Sequence, residues 1–492
     1  MLLDMPPAAP NRSTVIIGAG MSGLCMAIAL KRAGMPFVVL EKSDEIGGTW
    51  SANRYPGCAC DIPSHLYGYS FAPNPQWSRV WAGQPEILAY LKDVVAQFDL
   101  APHIRLSTAA QSADYDASTA TWTIATVDGP LTARYLVSAT GPLRVPKWPD
   151  IPGIDAFRGP SMHSARWDED VVLAGKRVGI VGSAASAVQM IPKLAGHTAH
   201  LTVFQRTANY VVPKPNRHYT APEKWLLANV PGAWRLLRWW LYARNEARFH
   251  AAFTPSRLSA RLVEAVLRHY ITRAVPDPTL RAAVLPDYRV GCKRVLLEGD
   301  YYATLARPDV SLVTDSISRI DAEGVITEAG RHDLDVILYA TGFDIWDTDW
   351  PGRVRGRDGV SLHDAYGDAP RAWLGMAVPG FPNLFTLLGP NTGLGHNSVV
   401  WMAECQVNHI VRLMTAAEEA GQEALEVRAS VLEAYNDALQ ERMQTRVWVQ
   451  GRCASWYQHA DGRIRALWPD STLAWWRALR RVSLTDYREA PR

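Results

Sequence analysis

Residues 14–23 read Thr14-Val15-Ile16-Ile17-Gly18-Ala19-Gly20-Met21-Ser22-Gly23; LCMAIALKRAG follows, ending at Gly34, and then Phe37-Val38-Val39-Leu40-Glu41. The first four residues are a β-branched run, which favours a strand. After Gly23 the pattern is that of a short helix stopped by Gly34, and a second apolar strand follows. Strand, glycine turn, helix, strand and acid within about 30 residues form a βαβ unit, the setting in which GxGxxG binds a dinucleotide. Gly18 permits the tight turn, Gly20 lets backbone approach a pyrophosphate, and Gly23 lets the helix pack on the strand. The helix N-terminus adds amide donors and a positive dipole. Glu41 stands 21 residues after Gly20, where a carboxylate binds a ribose 2′-OH, so FAD or NAD is expected rather than NADP.

The layout recurs. Arg177-Val178-Gly179-Ile180-Val181 leads into Gly182-Ser183-Ala184-Ala185-Ser186-Ala187, a helix through Leu194, and Leu201-Thr202-Val203-Phe204. Ala184 and Ala187 replace the second and third glycines; a methyl group at the second position crowds a pyrophosphate, whereas alanine at the third is tolerated. The second strand ends in Gln205-Arg206-Thr207 with no carboxylate. An arginine fork pairs with a 2′-phosphate and a threonine adds a hydroxyl, so NADPH is expected here over NADH. Two such units predict an α/β fold with two Rossmann-like dinucleotide-binding domains on parallel sheets. From 214 to 290 strand patterns vanish and helical ones, punctuated by prolines, take over: a helical insertion. Strand patterns return at 310–314 and Val336–Tyr339. Asn397-Ser398, the apolar positions Val400, Ala403, Val407, Ile410, Val411 and Met414, and Gly421 predict a late helix. The expected domains are 1–145 with 380–492 for the FAD unit, 146–213 with 291–379 for the NADPH unit, and 214–290 for the insertion.

At 492 residues the chain has room for two to four domains of roughly 100–200 residues. Hydrophobic residues at 48% and charged ones at 20% are ordinary for a globular protein and exclude a disordered one. Lys and Arg (51) nearly balance Asp and Glu (48), with no basic run, which argues against a nucleic-acid partner. The six cysteines include no CxxC pair, and only one residue separates Cys58 from Cys60. That excludes a disulfide scaffold and the common zinc and dithiol spacings, so no metal is expected. All six read as small, semi-buried hydrophobes in a reducing compartment, and a cytoplasmic location is expected. MLLDMPPAAPNRS lacks the basic start and apolar run of a signal peptide, and no 18-residue apolar window predicts a membrane span. The insertion's Trp225, Trp234, Trp239, Trp240, Tyr242, Phe249 and Phe253 read mainly as helix-packing core; pocket lining and contact with a membrane surface are the alternatives. Taken singly, Asp61 reads as a loop cap, Lys293-Arg294 as a solvated pair, and His163 as structural. Gly47-Gly48 allow close backbone approach to a ligand, with Trp50 as a flat wall.

Four sets of residues together resemble one family. Phe157 through Asp168 fits FxGxxxHxxxW(P/D) at every defined position, with His163 and Trp167 at the fixed ring positions. Gly48, Trp50, Tyr55, Pro56, Gly57 and Asp61 fit (A/G)GxWxxxx(F/Y)P(G/M)xxxD. Two glycine-type turns flank the first signature, and ATG tripeptides stand at 139–141 and 340–342. The chain thus resembles a type I Baeyer–Villiger monooxygenase, a class B flavoprotein monooxygenase, from about residue 12 to about residue 487. The resemblance implies that an O2-derived oxygen is inserted next to a ketone carbonyl through a C4a-peroxyflavin, at the expense of NADPH, to give an ester or lactone. It implies that Gly18, Gly20, Gly23 and Glu41 hold the ADP half of FAD, with Gly48, Thr49, Trp50 and Asp61 nearer the flavin. Gly182, Ser183 and Ser186 fall in the NADPH turn, and Arg206, Thr207 and Lys293 match the 2′-phosphate grip. Arg294 matches an active-site arginine paired with Asp61, His163 and Trp167 belong to a hinge, and Trp456 resembles a tryptophan touching the nicotinamide cofactor. The implied partners are a small-molecule ketone and O2. An N- or S-oxidising flavin monooxygenase, an NADPH–flavin reductase and a nucleotide-sensing protein are the alternatives, and the oligomeric state is left open.

Overall fold

A computed structural model describes residues 13–254, 258–345, 349–451, 453, 455, 457–459 and 461–489. Thr14–Ile17 forms β1, Met21–Arg32 α1, Phe37–Leu40 β2 and Tyr135–Ser138 β3. Their sheet runs Leu384–Thr386, β3, β1, β2, Ile104–Arg105, with every pair parallel. Side chains alternate between two buried faces. Ile16, Val39 and Val137 enter one core, while Val15, Ile17, Leu40 and Leu136 enter another. Apolar residues at consecutive positions are what a parallel sheet covered on both sides demands.

The second unit repeats this with β4 (Arg177–Val181), α2 (Ala185–Leu194), β5 (His200–Phe204), β6 (Val310–Val313) and β7 (Val336–Tyr339). The order is β6, β5, β4, β7, Ser161–His163, again wholly parallel. Val178, Ile180, Val203 and Leu338 face one side; Val181, Phe204, Ile337 and Tyr339 face the other. The ATG tripeptides occupy equivalent places. The Ala139 N–H donates to the Ile17 carbonyl (2.9 Å) and that of Ala340 to the Val181 carbonyl (2.8 Å), so each tripeptide abuts its unit's glycine turn.

Insertion helices follow as expected: α3 (Ala221–Asn229), α4 (Ala233–Ala252), α5 (Leu258–Ala274) and α6 (Pro278–Val284). The two-residue strands Val211–Val212 and Leu296–Leu297 pair in parallel at its neck. The late helix is α7 (Val399–Glu419), and Gly421 beyond it takes φ +70°, the left-handed conformation suited to a helix end. Among the described residues no helix is long and apolar enough to cross a membrane.

Three expectations change. Residues 349–379, expected with the NADPH unit, pack on the first one. Val354–Arg355 pairs with Ala113–Asp114, and Trp350, Val354 and Leu362 share a core with Val15 and Leu40. We propose that the chain crosses back near residue 345 rather than 380. The insertion's tryptophans are not mainly core either: Trp225, Trp239 and Trp240 are exposed. Phe253 is buried, Trp234 and Tyr242 are half-buried, and Phe249 lies outside the residues whose side chains are described. The cysteines are not all unbonded. Cys292 and Cys453 form a disulfide across 161 residues, with Cα atoms 6.2 Å apart, while Cys25, Cys58, Cys60 and Cys405 are buried thiols. Local spacing carries no information about a pair so far apart in sequence. Thiol titration of the unreduced, denatured protein is expected to count four thiols rather than six, and six after reduction.

Candidate active site

The two glycine turns have the same build. Gly18 (φ +105°) and Gly182 (φ +115°) hold the left-handed conformation, and a Cβ would lie 2.7 Å from the Ala139 carbonyl oxygen in the first and 2.5 Å from that of Ala340 in the second. A Cβ on Gly23 would fall 1.9 Å from the Gly18 carbonyl oxygen, so the close packing of α1 on its turn requires glycine. Gly20 and Gly48 approach back to back: a Cβ on Gly48 would lie 3.0 Å from the Gly20 Cα. Glu41, buried at the end of β2, accepts hydrogen bonds from the N–H groups of Ala19 (2.8 Å) and Ser43 (2.9 Å). In the second turn the Ser183 hydroxyl donates to the Thr207 carbonyl (3.0 Å). Ala184 is exposed and faces the cavity, whereas Ala187 is fully buried where the helix meets the sheet.

One cavity of 2230 Å³ connects both turns. Gly18, Gly20, Glu41, Gly48, Thr49, Trp50 and Asp61 line it from the first unit; Gly182, Ser183, Ser186, Arg206 and Thr207 line it from the second. Lys293 and Arg294 line it from the chain leaving the insertion. Trp167 also borders it, whereas Gly23 works behind the wall as a packing residue. His163 is fully buried outside it, its ring centroid 5.6 Å from that of Trp148 and 6.1 Å from that of Phe343. Burial lowers the His163 pKa to about 4, partly opposed by a hydrogen bond to the Gly342 backbone and helped by the Arg166 charge, so this ring is neutral near pH 7. Trp456 lies outside the described residues.

Where the two units meet, charge is concentrated. Arg294 Nη2 lies 3.2 Å from Asp61 Oδ2, and Lys214 Nζ lies 3.8 Å from Asp61 Oδ1. Asp61 and Lys214 are nearly buried, with side-chain exposures of 10% and 6%, while Arg294 keeps 44% of its side-chain surface open to the cavity. Burial opposes the Arg294 charge and the Asp61 carboxylate supports it; the pKa is raised, so the guanidinium is a fixed cation. Asp61 is thus an ion-pair partner of two cations, and Lys293 and Arg294 border the cavity with part of their surface open. The loop bearing Asp61 is clamped from the other unit: Tyr55 Oη donates to Gln189 Oε1 (2.8 Å) and Gln189 Nε2 donates to the Ala59 carbonyl (2.9 Å). Trp50 is buried with its indole N–H on Tyr67 Oη (3.2 Å). Neither Lys214 nor Gln189 stood out in sequence: one sits in an ordinary VPKPN stretch, the other on the apolar helix α2.

A second cationic group lies at the far turn. Burial and then the Arg206 charge lower the Lys293 pKa, with the Asp287 carboxylate partly opposing. Arg206 and Lys293 thus place two cationic side chains on the wall of the same cavity.

Paired Rossmann units sharing a cavity, with a glycine turn for each nucleotide, define an oxidoreductase that brings two dinucleotides together. Residues 15–222 match the family model described as pyridine nucleotide-disulphide oxidoreductase. A Baeyer–Villiger monooxygenase of Streptomyces coelicolor is 42% identical over 476 residues, 96% of this chain and 92% of that protein. One from Pseudomonas aeruginosa is 40% identical over 95% of this chain and 89% of that protein. The crystal structure of OTEMO in complex with FAD and NADP superposes with a TM-score of 0.89 at 29% identity, covering 98% of this chain and all of that one. Cyclohexanone monooxygenase from Rhodococcus sp. Phi1 bound to NADP+ gives 0.84 at 30% identity, covering 95% and 96%. The chain belongs to the Baeyer–Villiger monooxygenase family.

Proposed function

We propose that this protein uses FAD, NADPH and O2 to insert one oxygen atom beside a ketone carbonyl, giving an ester or lactone. The observation that carries this reading is the Asp61–Arg294 pair on the wall of the cavity joining both glycine turns. The balance is ketone, O2, NADPH and a proton to ester, water and NADP+. The first turn fits the ADP half of FAD: backbone is bare at Gly20, and Glu41 stands at the end of the second strand. Arg206 and Lys293 fit the 2′-phosphate of NADPH, with Thr207 beside them. FAD, when bound, accepts hydride from NADPH and delivers oxygen activated from O2.

Arg294 holds a permanent positive charge on the cavity wall, where negative charge builds on oxygen as the carbonyl is attacked. Asp61 orients that guanidinium, and Lys214 helps balance the carboxylate from the opposite side. Trp50 and Tyr67 form a fixed apolar wall that limits water. His163, held neutral in packed surroundings, and Trp167 are assigned to the joint between the units.

Stopped-flow mixing of NADPH-reduced holoenzyme with isotopically labelled O2 tests this, with a ketone and a sulfide supplied in parallel. The expected result is flavin reoxidation coupled to ketone, with one labelled oxygen in the ester. Hydrogen peroxide as the sole oxygen product, or oxidation of the sulfide alone, overturns the reading.

A further inference from the structure

The insertion exposes what a soluble face normally hides. Nine of the seventeen exposed large hydrophobic side chains among the described residues lie between Trp225 and Val266. On α4 they are Leu236, Trp239 and Trp240; on α5 they are Leu258, Leu262 and Val266. Spacings of three and four residues place each set on one stripe of its helix. The opposite faces are spoken for. Arg238 donates to the carbonyls of His65 and Gly68 (both 2.8 Å), Leu241 and Asn245 are buried, and Ala260 and Ile271 are buried under α5. The helices α4 and α5 pack on each other, and each leaves its apolar stripe exposed.

The charge of this region is as uneven as its hydrophobicity. Residues 214–290 contain thirteen Lys and Arg against five Asp and Glu, a formal +8, while the whole chain carries only +3. Arg235, Arg248, Arg261 and Arg273 are exposed on the same two helices as the apolar stripes. A second copy seated on this face would oppose one excess of positive charge with another. An anionic lipid surface complements it, and tryptophan suits the boundary between headgroups and acyl chains. Arginine stems lie along apolar surface while their heads reach phosphates. We propose that the outer face of α4 and α5 docks on anionic lipid bilayers as a peripheral, interfacial anchor. The anchor rests on this face alone and is independent of the chemistry assigned to the cavity.

The test is co-sedimentation of the full-length holoenzyme with phosphatidylcholine vesicles, with and without phosphatidylglycerol, alongside analytical ultracentrifugation without lipid. Wild type is expected to partition at least about tenfold more onto the anionic vesicles, to shift its tryptophan emission to the blue there, and to be released by salt. The double variant Trp239→Ser, Trp240→Ser is expected to lose the partitioning and the spectral shift. The charge-reversal variant Arg248→Glu, Arg261→Glu is expected to lose the preference for anionic lipid. Both are expected to match wild type in far-ultraviolet circular dichroism and in thermal unfolding midpoint in lipid-free buffer, which confirms that they fold. Equal binding to both vesicle types, or no binding, overturns the proposal. So does a lipid-free dimer that the tryptophan variant converts to monomer, which would make this face a contact between copies.

Discussion

Arg294→Ala is expected to reduce ester formation by about 10²–10³-fold, the effect typical of removing one donor that stabilises developing negative charge. Reduction of the flavin by NADPH is expected to stay close to the wild-type rate. The separation follows from geometry. Arg294 faces the cavity from the junction of the units, 3.2 Å from Asp61, whereas the Arg206 and Lys293 cations sit at the other turn. Loss of the guanidinium leaves the Asp61 carboxylate, nearly buried, with Lys214 at 3.8 Å as its remaining cation on the other oxygen. An ammonium does not reproduce the planar fork of a guanidinium, so Arg294→Lys is expected to recover only part of the activity. Stopped-flow absorbance reads the reductive half-reaction, and chromatographic quantification reads the ester. Ester formation at the wild-type rate in Arg294→Ala would refute the assignment.

Arg206→Ala is expected to raise KM for NADPH by about ten- to a hundredfold, the equivalent of about 1.5–3 kcal/mol for a hydrogen bond to a charged group. KM for NADH is expected to change little, because NADH has no 2′-phosphate to lose. Lys293 makes the effect less than additive. Arg206 lowers the Lys293 pKa in the wild type, so removing Arg206 leaves a lysine that holds its proton more firmly and retains part of the grip. The double variant with Lys293→Ala is therefore expected to lose further affinity. Steady-state kinetics with both cofactors provide the measurement, and equal KM changes for NADPH and NADH would remove the 2′-phosphate role from Arg206.

The strands Thr14–Ile17, Phe37–Leu40, Arg177–Val181 and Val336–Tyr339 coincide with the apolar runs that predicted them. Each depends on residues adjacent in the chain, and a parallel sheet covered on both faces calls for near-continuous apolar runs. The Gly18 and Gly182 turns were legible for a similar reason: a left-handed conformation and a backbone contact nearer than 3 Å admit glycine alone. The exposure of Trp225, Trp239 and Trp240 is not legible in the sequence, because helical spacing reports which residues share a face, not whether another element covers that face.

The order of strands and helices, both nucleotide turns and the family signatures could be read from the chain alone, because each is a pattern among neighbours set by backbone sterics and side-chain alternation. Folding in three dimensions was needed to put Arg294 and Lys214 on either side of Asp61, to let Gln189 clamp its loop, to join Cys292 to Cys453, and to leave Trp239 and Trp240 uncovered. Those outcomes depend on which distant surfaces meet, and periodicity along a chain does not encode the contact between segments separated by a hundred residues or more.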